Sequence, residues 1–166
     1  MTDIKPPADP LPRREDALRE AMELLFFAYR DFTAEADAIL ARYGFGRAHH
    51  RVVHFVGRHP RITVGELLAI LKITKQSLNR VLGQLVAEGL IVQHAGPRDR
   101  RQRLLELTGK GCEIERLVSE PQRRRLARAF HDAGAPAVEG FRQVMLAIIA
   151  EESDRRRFAR RAPAKR

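Results

Sequence analysis

Between Thr63 and Leu107 the spacing of apolar residues switches from helical to alternating, and that switch limits the folds open to this chain more than any other feature. Thr63 stands three residues before Glu66, the pattern in which a hydroxyl and a carboxylate each satisfy the other residue's backbone amide, so a short helix is expected over Val64–Leu71. Thr74 is a second N-cap. After it Leu78, Val81, Leu82, Leu85 and Val86 recur at steps of three and one, predicting a helix from Lys75 to about Glu88 closed by Gly89. The period then becomes two: Leu90–His94 reads as one strand and Arg103–Leu107 as a second, with the polar turn Ala95–Arg101 between them. Two short helices followed by a hairpin make a helix-turn-helix with a wing.

Longer helices flank this unit. Leu18, Met22, Leu25, Phe26, Tyr29, Phe32, Thr33, Ala36 and Leu40 follow helical spacing from about Asp16 to a stop before Gly44. A second helix runs from about Gly46 to Arg58, is ended by Pro60, and is followed by a short extended piece at Arg61-Ile62. Thr108 opens another long helix, which Pro121 should interrupt or kink because it has no amide donor. A last helix follows Pro136 and carries Val138, Phe141, Val144, Met145, Ile148 and Ile149 on a broad apolar face. The fold class is therefore mainly α with a small β-hairpin wing, a winged lobe plus a helical region built from both chain ends. At 166 residues this is one domain with a core of its own. The divisions expected are an extended arm over 1–15, a domain over 16–150 with its winged lobe at about 46–107, and the end of the last helix with a basic tail over 151–166.

Charge enters the argument only once it is divided. Of the formal +10, the stretch Arg155–Arg166 alone carries +7, so overall basicity says little about the body of the chain. Within the body, positive charge concentrates at the turn, where Arg98, Asp99, Arg100, Arg101, Gln102 and Arg103 place four arginines and one acid in six residues. A narrow minor groove has a strongly negative potential that attracts inserted arginine. The helix before it shows Thr74, Lys75, Gln76, Ser77, Asn79, Arg80 and Gln84 away from its apolar stripe, with no carboxylate until Glu88. Glutamine and asparagine pair two-pronged with adenine and arginine with guanine, while hydroxyls and free helix amides suit phosphate. Double-stranded DNA is the expected partner. The alternative is a basic interaction protein holding protein or RNA; a surface of that kind would tolerate acids or large apolar groups where this helix has none.

On these residues the chain resembles the MarR regulators, over about Asp16 to Ala150. The stretches that carry the likeness are Gly46–Pro60 (GRAHHRVVHFVGRHP), Ile73–Val92 (ITKQSLNRVLGQLVAEGLIV) and Pro97–Thr108 (PRDRRQRLLELT). The resemblance implies a winged-helix homodimer that represses or activates transcription on a pseudo-palindromic operator. It implies dimerisation helices at about 16–43 and 108–150, which would bury Phe141, Met145, Ile148 and Ile149. It also implies that Asp99 braces the wing and that Arg101 reaches the minor groove. Relatives of this kind hold small aromatic ligands between the dimer helices and the lobe. The residues that would line such an effector site are Phe26, Tyr29, Arg30, His50, His54 and Phe55, although an ordinary core with a helix-end network accounts for the same residues.

Other residues with chemical potential point nowhere specific. His50 and His54 share a helix face with His49 and His59 nearby, but no cysteine joins them and no His-Glu-x-x-His pattern occurs, so no metal is expected. Cys112, the one cysteine, rules out an internal disulfide, suits a reducing compartment and reads as a small buried residue. No nucleophile, base and orienting group stand at recognisable spacing, so neither an enzyme nor a cofactor is expected. The first residues hold no apolar h-region, and the longest apolar run, Val144–Ala150, is too short to span a bilayer; a cytoplasmic protein without membrane contact is expected.

Overall fold

The computed structural model describes residues 15–159. Its elements are α1 (Glu15–Ala41), α2 (Arg47–Arg58), β1 (Ile62–Thr63), α3 (Val64–Leu71), α4 (Lys75–Ala87), β2 (Ile91–Ala95), β3 (Arg103–Leu107), α5 (Gly109–Ala133), α6 (Ala135–Ile148) and α7 (Glu152–Ala159). The three strands form one antiparallel sheet in the order β1-β3-β2, with Ile62 opposite Leu105 and Ile91 opposite Leu107. The extended piece at Ile62 is thus the third strand, and it fastens the start of α3 to the hairpin.

Local signals set the boundaries. The Thr63 hydroxyl accepts the Glu66 amide at 3.1 Å while the Glu66 carboxylate accepts the Thr63 amide at 2.8 Å. Thr74 accepts the Ser77 amide at 3.1 Å and opens α4. Thr108 caps α5 through the Gly111 amide and donates its own proton to the Gly89 carbonyl at 2.6 Å, tying α5 to the end of α4. Glycine is required at 111, where a Cβ would meet the Leu90 carbonyl oxygen at 2.1 Å. Around these joints a single core gathers Val52, Val56, Leu67, Leu78, Leu85 and Leu105 against Ala36 and Leu40 of α1 and Ile114 and Val118 of α5.

Three expectations are corrected. Helix α5 passes unbroken through Pro121. Proline removes one amide from the ladder, and neighbouring ties to α1 hold the helix across the gap: Gln122 donates to the Phe32 carbonyl at 3.2 Å, and Arg125 pairs with Glu35 at 3.2 Å. The last apolar helix stops at Ile149, whose backbone is extended. A separate α7 follows, with Glu152 and Asp154 in its first turn, where carboxylates favour a helix start. Arg155, read as part of a basic tail, instead donates to the Ile149 and Ala150 carbonyls, and Lys72 at the end of α3 pairs with Glu151 and Asp154. Cys112 is exposed, because Gly111, Ile114 and Val118 take the inward side of α5. The arm expected over 1–15, except Glu15, and Arg160, Arg161, Lys165 and Arg166 of the tail lie outside the described residues. Among the described residues no helix is long and apolar enough to cross a membrane.

Candidate nucleic-acid interface

Burial of Leu78, Val81, Leu82 and Leu85 fixes the rotation of α4 and therefore what it shows outward. At 100° per residue, Gln76, Arg80 and Gly83 lie opposite the buried stripe. Lys75 and Asn79 lie on the flank toward the wing, and Ser77 and Gln84 on the flank toward α2. Thr74, Lys75, Gln76, Ser77, Asn79, Arg80 and Gln84 are all exposed. Thr74 and Ser77 are partly engaged with each other, the Thr74 hydroxyl donating to the Ser77 hydroxyl at 2.9 Å. Gln84 is also engaged, its carboxamide oxygen 2.6 Å from Nε2 of His49 on α2.

The wing is braced from within. The Asp99 carboxylate accepts the Arg101 amide at 2.9 Å, and the Asp99 carbonyl accepts the Gln102 amide at 3.0 Å. Gly96 allows this closure, since a Cβ there would stand 2.6 Å from the Asp99 carbonyl oxygen. Arg98, Arg100 and Arg101 are exposed, and none of them has an ion-pair partner among the described residues. One open groove of about 610 Å³ runs between α4 and the wing, lined by Lys75, Asn79 and Gly83 on one side and by Gln93, Arg101, Gln102 and Arg103 on the other. Of the expected residues, this groove brings Lys75 and Asn79 of the helix together with Arg101 of the wing. Gln93, Gln102 and Arg103 were missed as members of it, because strand alternation alone does not say which face meets α4.

A second cavity, about 340 Å³, opens between α1, α2 and α5. Of the six residues expected there it is lined by Tyr29, His50, His54 and Phe55. Phe26 and Arg30 do not line it: Phe26 is 64% exposed, and Arg30 bonds Asp31 at 2.8 Å and lies over the Phe27 ring. One turn further along α1, Phe32 and Thr33 take their place, joined by Arg47, Arg51 and Gln122. Burial holds both imidazoles below their ordinary pKa; for His54 this outweighs Glu115, whose carboxylate is 3.7 Å away. Of the apolar residues expected at an interface, Phe141 and Ile148 are exposed and Met145 and Ile149 are half-buried. Leu18, Met22 and Phe26 on α1 are more exposed still.

Comparison with known proteins supports the same reading. The sequence pattern of the MarR family matches residues 43–102, the stretch from the α1–α2 turn to the turn of the wing before β3. The chain is 50% identical over 135 residues to the HTH-type transcriptional regulator PetP of Rhodobacter capsulatus, covering 81% of each protein. Among solved structures it is similar to Staphylococcus aureus MarR in complex with salicylate and kanamycin, with a TM-score of 0.66 and 19% identity over 82% of this chain and 95% of that one. It is also similar to a mutant MarR from E. coli complexed with operator DNA, with a TM-score of 0.61 and 19% identity over 81% of this chain and 96% of that one.

Proposed function

This chain belongs to the MarR family of DNA-binding transcriptional regulators, and on that premise we propose that it acts as a homodimer on a pseudo-palindromic operator. Residues 46–107 form the reading lobe, and 16–43 with 108–150 form the dimerisation helices. Helix α4 enters the major groove with Gln76, Asn79 and Arg80 toward base edges and Thr74, Lys75 and Ser77 toward phosphates. Arg101, with Arg98 and Arg100 beside it, follows the backbone into the minor groove. Two-fold symmetry sets the half-site centres about 10–10.5 base pairs apart.

The observation that carries this reading is the groove in which Lys75 and Asn79 of an acid-free helix face line the same space as the wing residue Arg101, which has no ion-pair partner among the described residues. Arg101→Ala tests it. Operator affinity is expected to fall by about tenfold or more, with the melting temperature unchanged. A folded variant with wild-type affinity removes the wing from the mechanism.

The cavity between α1, α2 and α5 suits a small aromatic acid: Phe32 and Phe55 supply ring contacts, and Arg51 supplies a cation. The salicylate complex of the Staphylococcus aureus protein supports that choice of ligand class. A ligand there touches helices of both the lobe and the chain ends, and shifts operator affinity only insofar as it favours one spacing of the two lobes over another.

A further inference from the structure

Gln84 differs from the other exposed residues of α4 in having one edge of its carboxamide already occupied. It lies seven residues after Ser77, on the same flank, and its Oε1 is 2.6 Å from Nε2 of His49. His49 is held in two further ways. It is the third residue of α2, where its Nδ1 accepts the Gly46 backbone N–H at 3.1 Å. Its ring stacks on the buried Phe45, with centroids 4.8 Å apart and planes 25° from parallel.

These contacts fix which proton is where. With Nδ1 accepting, the proton of a neutral imidazole resides on Nε2, which must then donate. Its acceptor must be the carbonyl oxygen of Gln84, since the amide NH₂ would set donor against donor. The Gln84 NH₂ is therefore turned away from α2, and it has no hydrogen-bond partner among the described residues.

We propose that His49 is a positioning residue for operator specificity, locking Gln84 as a donor-only reader of the base it meets. The proposal rests on the DNA-reading role of α4 argued above. A free glutamine pairs with adenine through both edges, giving a proton to N7 and taking one from N6. With its oxygen turned to His49, Gln84 presents only its NH₂ to the DNA, so it favours guanine or thymine, whose edges only accept, keeps one of its two bonds to adenine through N7, and disfavours cytosine, whose edge only gives. Two residues 35 apart in sequence thus share one specificity decision.

Selection of binding sites from a randomised operator library, using full-length wild type and variants, tests this. His49→Gln retains an acceptor for the Gly46 amide and an N–H for Gln84, and is expected to keep the wild-type preference. His49→Glu keeps the cap but presents an acceptor to Gln84, so the carboxamide turns over and its oxygen faces the DNA. Preference at one position of each half-site should then shift, on the order of tenfold, toward cytosine or adenine, with other positions unchanged. Gln84→Ala should abolish preference at that same position, which supplies the readout if His49→Glu does not fold. Unchanged preference in His49→Glu or Gln84→Ala, or a loss uniform across sequences, overturns the proposal while leaving α4 as the reader. A wild-type protein that enriches no sequence overturns both.

Discussion

In the winged lobe Leu67, Leu78, Leu85 and Leu105 are each shut off from solvent, whereas in the chain ends Met22, Phe26, Val144 and Ile148 are each more than half exposed. The buried apolar residues run from Ala36 to Val118, with none outside that span among the described residues, and α6 buries nothing at all. The lobe closes one core together with Ala36 and Leu40 of α1 and Ile114 and Val118 of α5. The first half of α1 and the whole of α6 carry large apolar residues that stay open to solvent among the described residues. Soluble monomers rarely expose so many large apolar residues, so on the proposed homodimer the ends are where the second copy is expected. The difference also separates two kinds of surface: hydrogen-bonding side chains on the reading face, bare hydrocarbon on the ends.

The sharpest way to break that contrast is to charge the end that lacks a partner. Val144→Asp with Ile148→Asp should yield a monomer by sedimentation, and operator affinity should fall by about a hundredfold or more as the two half-sites lose their tether. A monomeric wild type would show that the exposed face serves something else. Next in size is a paired truncation. Leu85→Ala should cost roughly 2–5 kcal/mol at any protein concentration, since it opens a cavity in a closed core. Met22→Ala should cost stability only at concentrations where the dimer forms, because its burial comes from association. Equal, concentration-independent losses would mean both regions complete themselves in the same way.

A smaller effect sharpens the reading face. Gly83 is mid-helix on α4, and a Cβ there would meet nothing within 4 Å. Glycine in that setting costs about 0.5–1 kcal/mol relative to alanine, and no internal packing requires it. If its place is set by close approach of the helix to DNA, Gly83→Ala should raise the melting temperature while weakening operator binding several-fold. Raised stability with unaltered binding would remove Gly83 from the contact surface.

What was legible in the sequence follows the range of each interaction. Thr63 with Glu66, Thr74 with Ser77, and Thr108 with Gly111 are contacts three residues long, and each placed a helix start from the sequence alone. The outward face of α4 was legible for a similar reason: the stripe Leu78, Val81, Leu82 and Leu85 fixes what lies opposite it. The cavity was half legible. Its lining depends on how three helices are rotated against one another, so Phe32 and Gln122, on different elements, were missed, and Phe26 and Arg30 were named although they do not line it. The interruption expected at Pro121 does not occur, and the neighbouring ties run to α1, which lies about ninety residues earlier in the chain. The break after Ile148 depends on Arg155 returning to carbonyls behind it, and no apolar periodicity encodes that.

The smallest predicted effect concerns the junction between the two regions, where the His50 and His54 rings stand 6.4 Å apart, one turn apart on α2. Desolvation is the main cause holding both below the ordinary 6.5. The His54 ring also disfavours charge on His50, as Arg51 does, and Arg58 and His59 do the same for His54. Asp37 on α1 and Glu115 on α5 act in the opposite sense without prevailing. The unfolded chain therefore binds more protons than the folded one as pH falls below about 6.5, so stability rises with pH through that window. The contribution is fully present above it and is lost on acidification toward the folded-state values. Both rings are only partly shielded, so the change should be a small shift of the urea midpoint between pH 7.5 and 5.5. His50→Gln with His54→Gln should flatten it. A slope that survives in the double variant would place the acid sensitivity on carboxylates elsewhere in the fold. A pH-dependence of operator affinity that disappears in the same variant would show that the junction transmits its protonation to the reading lobe.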